Sequence, residues 1–111
     1  MTDNAKKYLS DILQAIELIE AFTNEIDTFQ DYLQDLKTKS AVERQLGIIG
    51  EAVNKFEQLE EGFQLSNSRQ IVGFRNRLIH AYDNIDDTIV WAILQKYLPT
   101  LKTEVQSGLA K

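Results

Sequence analysis

Apolar residues recur at steps of three and four along almost the whole chain, and a strand-like alternation persists nowhere. A pattern of that period buries itself as helix, because residues three and four apart share one helical face. Breakers are scarce, with one proline and five glycines in 111 residues, so few positions force the chain to turn. The sequence therefore predicts an all-α, up-and-down bundle of four or five helices. A chain of this length can bury one modest core, so a single domain over residues 1–111 is expected.

The first helix is expected from about Asn4 to Ala21, with Leu9, Ile12, Leu13, Ile16 and Ile19 inward. Thr23-Asn24 reads as a break, with Thr23 as the N-cap of a second helix carrying Phe22, Ile26, Phe29, Leu33 and Leu36. Lys37-Thr38-Lys39 then reads as a loop, and Ser40-Ala41-Val42-Glu43 as a capping box opening the longest helix, Ala41 to Leu59. That helix has one stripe of Val42, Leu46, Ile49, Val53 and Phe56 and another of Ile48, Ala52 and Leu59, so it should be central. Gly50 inside it implies close approach of a neighbouring backbone, since glycine there costs about 1 kcal/mol relative to alanine. A fourth helix, capped near Asn67 and Gln70, covers about Ser68 to Ala81 and buries Ile71, Phe74 and Leu78. The last runs from about Asp86 towards Gly108, with Ile89, Ile93, Tyr97 and Leu101 on one face and a kink or interruption at Pro99. Trp91 and Tyr97 read as core.

No cysteine is present, which excludes disulfides and cysteine metal sites. No window approaches the roughly 18 apolar residues of a membrane span, and Met1-Thr2-Asp3 does not read as a signal peptide, so a soluble cytoplasmic protein is expected. The formal net charge of −5 argues against broad electrostatic binding to nucleic acid. The mean hides a local contrast: between Glu61 and Asp83 there is no carboxylate, and that window holds three of the four arginines and the only histidine. It reads either as a small cationic site on an acidic body or as a helix whose charges happen to segregate.

The window ends in RNRLIHAY, Arg75 to Tyr82. On a helix, Asn76 and His80 stand one turn apart on one face, and the long Arg75 side chain can reach the same ground. Arg75, Asn76 and His80 can thus surround one anionic group, and a phosphodiester suits them. Histidine exchanges protons near neutrality. Arginine offers a permanently charged fork to phosphate oxygens and to charge developing in the transition state. In RNA the 2′-hydroxyl is an internal nucleophile, so a base suffices to start cleavage without a metal. The leaving 5′-oxygen also needs an acid, and a chain with one histidine would find the second in a symmetric homodimer. An arginine and a histidine five residues apart also arise by chance, and spacing alone leaves both readings open. Glu51 could brace Arg75 or Arg77, or be an ordinary helix carboxylate.

Arg75 and His80 with four residues between them, Asn76 after the arginine and Tyr82 two beyond the histidine resemble the R-x4-H-x-Y signature of HepT-type toxins in the HEPN superfamily. AVERQLGIIGEAVNKF (Ala41 to Phe56) resembles the family's central helix with its IGEA core, and the VW and LPTL segments between Val90 and Leu101 also sit where that family has them. In place of the family's usual aromatic ahead of the motif helix stands Ser66-Asn67-Ser68. The resemblance implies a HEPN-like helical homodimer acting as a metal-independent endoribonuclease toxin of a type VII toxin–antitoxin system, with no cofactor. It assigns Arg75 to phosphate binding, Asn76 to support and His80 to acid/base catalysis; Glu51 and Arg77 are supporting candidates on the residue reading alone. It implies RNA as substrate and, as partner, a cognate minimal nucleotidyltransferase antitoxin that inactivates the toxin by AMPylation of Tyr82 from ATP. The alternative is a non-catalytic HEPN subunit that binds substrate or nucleotide within a nucleotidyltransferase complex, which the pI of about 4.8 suits better.

Overall fold

Thr2 opens the first helix, its hydroxyl accepting the Ala5 amide at 3.1 Å. The computed structural model describes residues 1–111, the Tyr82 side chain excepted. Its helices are α1 (Asp3–Phe22), α2 (Phe29–Gln34), α3 (Leu36–Leu59), α4 (Ser68–His80), α5 (Asp87–Ala92) and α6 (Leu98–Leu109). A 3-10 turn, Tyr82–Asn84, follows α4, and a π-turn, Ile93–Tyr97, joins α5 to α6 in one continuous rod. This is the expected all-α bundle. Neighbours run antiparallel: Glu20 and Gly108 meet Lys102 and Leu9 across α1 and α6, and Gly47 and Gly50 meet Leu78 and Ile71 across α3 and α4. Among the described residues no helix is long and apolar enough to cross a membrane.

The core is one cluster to which all the helices contribute. From α1 come Leu9, Ile12, Ile16 and Ile19, and from α3 the full stripe of Val42, Leu46, Ile49, Val53 and Phe56. Ile71 and Phe74 of α4 join them, as do Val90, Ile93, Leu101 and Val105 of the C-terminal rod. Trp91 and Tyr97 pack against this cluster as partly buried residues. The second expected stripe on α3 is only partly real, for Ala52 is buried but Ile48 and Leu59 are exposed.

The region between α1 and α3 departs most from the sequence reading. Thr23 closes α1 instead of capping a new helix, its hydroxyl donating to the Ile19 carbonyl at 2.8 Å. The second helix shrinks to six residues because Thr28 caps its start and Asp35 ends it. Phe22 and Leu36, expected on the second helix at its apolar spacing, lie outside it and are exposed, Leu36 by 71%. Asp35 is at once the end of α2 and the N-cap of α3. Its carboxylate accepts the Thr38 amide at 3.0 Å and the Thr38 hydroxyl at 2.7 Å. Lys37-Thr38-Lys39 is therefore the first turn of α3, not a loop, and Ser40 lies inside the helix, where the expected capping box has no terminus to cap. Asn67 precedes α4 in a left-handed conformation, with no side-chain capping bond. The interruption expected at Pro99 takes the form of the π-turn just before it. A proline lacks the amide and crowds the carbonyl four residues back, and widening the preceding turn relieves both.

Candidate active site

The site begins with a glycine. α4 packs on α3 so closely that a methyl group at Gly50 would run into the Arg75 Cβ, 2.9 Å from Arg75 Cγ and 3.2 Å from the Ile71 carbonyl. The missing side chain lets the Arg75 stem lie flat on α3, and the Ile71 carbonyl supplies the close backbone approach that the sequence implied for this glycine. The next residue, Glu51, then stands where the guanidinium arrives. Arg75 Nη2 donates to Glu51 Oε2, while Arg75 Nη1 donates to Asn76 Oδ1 at 3.0 Å. Lys55, one turn along α3, lies 3.5 Å from the other Glu51 oxygen. Each helix fixes its own part: Gly50-Glu51 on α3 seats and binds, and Arg75-Asn76 on α4 presents.

The paired guanidinium borders a groove of about 690 Å³ between α1, α3 and α4. Tyr8, Ile48, Leu78 and Ile79 form apolar wall, and Lys55 stands at the rim. Ile48 and Ile79 are 38% and 52% exposed there. Arg75 retains some exposure, so a ligand can reach it from the groove.

The structure thus brings Arg75, Asn76 and Glu51 into one hydrogen-bonded group. His80, the last residue of α4, is exposed, five residues and about 7.5 Å of helix rise beyond Arg75. Arg77 is exposed as well, on the side of α4 away from Glu51. Neither His80 nor Arg77 makes a side-chain hydrogen bond or ion pair among the described residues. The Tyr82 side chain, the expected AMP acceptor, lies outside the described residues. Among the described residues, no three of His, Asp and Glu gather into a metal-ligand set.

A model of the family described as "Ribonuclease HepT-like" matches residues 12–107, which include both motif helices. The chain belongs to the HepT-like ribonuclease family. It is 43% identical to "Probable ribonuclease HepT" of Thermococcus cleftensis, over 92% of this chain and 93% of that protein. It is 35% identical to a Methanocaldococcus jannaschii protein, over 93% of this chain and 94% of that one. It is 33% identical to a Caldanaerobacter subterraneus protein, over 96% and 95%. Both of these carry provisional names as RNases. No solved structure matches the chain.

For a HepT-like ribonuclease, two features of this site escaped the sequence reading. Lys55 is the first, and the Glu51–Lys55 spacing of four on one helix was its available signal. The groove beside Arg75 is the second. Tyr8 from the far end of the chain lines it together with Ile48 and Ile79, and no local pattern marks that convergence.

Proposed function

We propose that this HepT-like protein is a metal-independent endoribonuclease acting as a symmetric homodimer, with Arg75, Asn76 and His80 of both copies around one cleft. The observation that carries the reading is the placement of Arg75: an arginine oriented by Glu51 and Asn76 at a groove, with an exposed imidazole further along the same helix. The unpartnered apolar side chains of Ile48 and Ile79 beside it suit contact with a second copy.

The chemistry follows from those groups. His80 of one subunit removes the proton from a 2′-hydroxyl, whose oxygen attacks the adjacent phosphorus. Arg75 binds the non-bridging oxygens and stabilises the extra negative charge of the pentacoordinate state. The bond to the 5′-oxygen breaks, and His80 of the partner subunit supplies the proton for the leaving alcohol. The products are a 2′,3′-cyclic phosphate and a 5′-hydroxyl end. Incoming phosphate competes with Glu51 for Arg75, so Glu51 orients the guanidinium before substrate arrives.

The same reading makes the protein the toxin of a type VII toxin–antitoxin pair. Its partner is a minimal nucleotidyltransferase that moves AMP from ATP onto the Tyr82 oxygen, releasing pyrophosphate. Tyr82 opens the 3-10 turn directly after α4, next to the helix that carries Arg75 and His80. Two observations favour a second reading. Arg75 already has a carboxylate partner and the chain is acidic, which suits a non-catalytic subunit of a nucleotidyltransferase complex.

Purified protein incubated with RNA is expected to yield cyclic-phosphate ends, and His80→Ala to abolish them with the helical circular dichroism unchanged. Cutting by His80→Ala at the wild-type rate, or no cutting by unmodified wild type, defeats the nuclease reading. Coexpression with the partner and ATP is expected to add AMP mass at Tyr82, and Tyr82→Phe to stay active despite the partner. AMP found on another residue overturns the Tyr82 assignment.

A further inference from the structure

Gly73 sits in the middle of α4, exposed, and a Cβ built there meets no atom within 4 Å. Glycine is the poorest ordinary helix former, and a buried glycine such as Gly50 is explained by what packs on it. Among the described residues nothing packs on Gly73. At 100° per residue, Arg69, Gly73, Asn76, Arg77 and His80 fall within an arc of about 100° on α4, while Ile71, Phe74 and Leu78 centre on the opposite side. Gly73 therefore interrupts the outward face of the helix that ends in His80. Two shallow depressions of about 330 and 260 Å³ flank it, and Arg69 and Gly73 line both.

The charge on this face is one-sided. Arg69 and Arg77 are exposed, stand about 12 Å apart along the axis and have no ion-pair partner among the described residues. α4 carries no carboxylate. Glu57 of α3 lines the larger depression, and its Oε2 accepts the Leu65 amide at 3.4 Å. A cationic strip with a gap at its centre, leading to an imidazole, is complementary to a strand of regularly spaced phosphates with a bulky sugar between them.

We infer that a single strand of RNA lies along α4, its backbone passing from His80 over Gly73 towards Arg69. Arg77 and Arg69 bind successive phosphates on one side of the one that is cut, and the absent side chain at Gly73 lets the sugar–phosphate chain approach the helix. This inference rests on the ribonuclease reading above and adds the path of the substrate. Contacts to phosphates alone carry no base sequence, so the track supplies affinity and register, not sequence choice.

The test compares a dinucleotide, which spans only the cleavage point, with a single-stranded oligoribonucleotide. Gly73→Ala and Arg69→Ala are expected to cut the dinucleotide at the wild-type rate. With the oligonucleotide, Arg69→Ala should raise KM about tenfold and reduce the slope of log affinity against log salt by about 0.7 in magnitude, the share of one phosphate on a single strand. Gly73→Ala should bind the oligonucleotide severalfold more weakly although it melts about 4 °C higher, because alanine stabilises the helix. A glycine of merely structural origin would give the higher melting temperature with unchanged affinity. If both variants match wild type on the oligonucleotide while His80→Ala is inactive on both substrates, the track is wrong and the nuclease stands. If His80→Ala cuts both, the underlying reading falls instead. If the variants lower the sedimentation mass and leave RNA affinity per dimer unchanged, the face belongs to a second copy and the inference is overturned.

Discussion

Gly50→Ala asks whether one hydrogen-to-methyl change can displace the site. The new Cβ meets the Arg75 stem at its root and the Ile71 carbonyl, neither of which is the free end of a flexible chain, so α4 must move off α3. Overpacking of this kind costs about 1–3 kcal/mol, and thermal melting should register it as a clear drop. Activity should fall further than stability, because the displacement carries Arg75 away from Glu51. A Gly50→Ala protein that melts and cuts like wild type would show that the contact is soft. The sequence announced this contact, since a glycine mid-helix in IIGEAV asks for a close neighbour. It left open which residue comes so near, because Arg75 is 25 positions away and only the packing of α4 on α3 selects it.

Between elements, the clearest device is the junction of α2, α3 and α5. Lys39 and Asp87 form a 2.7 Å ion pair joining the starts of α3 and α5. Beside it, burial first and the Asp87 charge second push the Glu43 carboxyl up, against the pull of Lys39. Tyr32 of α2 is buried here against Trp91, its hydroxyl without a hydrogen-bond partner among the described residues, and burial followed by the charges of Glu43 and Asp87 raises its pKa as well. Because the folded state holds the Glu43 proton more tightly than the unfolded chain does, this site is most favourable below the ordinary glutamate value of 4.5. Its contribution is lost as pH rises through the folded value. Glu43→Gln, neutral at every pH, should therefore raise the melting temperature at pH 7, and the gain should vanish below about pH 4.5. A gain of equal size at pH 7 and pH 3.5 would mean that charge is not its cause. The four long stretches of helix, α1, α3, α4 and the rod of α5 and α6, were legible in the sequence because each keeps its apolar period for three turns or more. This junction was not: Asp35 both ends α2 and begins α3, and propensity patterns do not show one residue serving two helices.

At the scale of the whole molecule, the question is whether one chain is enough. Arg75, Asn76 and Glu51 are assembled within a single copy, and that part of the site follows from two motifs read in the sequence, RNRLIHAY and IIGEAV. The catalytic scheme, however, needs an acid and a base, and each chain brings one imidazole. The cleft would then hold the two His80 rings of a dimer, one in each role. This has a quantitative consequence for mixed dimers. When wild-type and His80→Ala chains are coexpressed in equal amounts and pair at random, about a quarter of the dimers keep both imidazoles. If both are needed, activity should fall to about a quarter of that of an all-wild-type sample, and follow the square of the wild-type fraction as the ratio is varied. Isolating the heterodimer with two different affinity tags makes the test direct: it should be inactive although it contains one complete Arg75–Asn76–His80 set. A heterodimer with half the wild-type activity would place acid and base within one chain, and a second proton carrier would then have to be sought among the groove residues near Arg75, where Lys55 and Tyr8 stand.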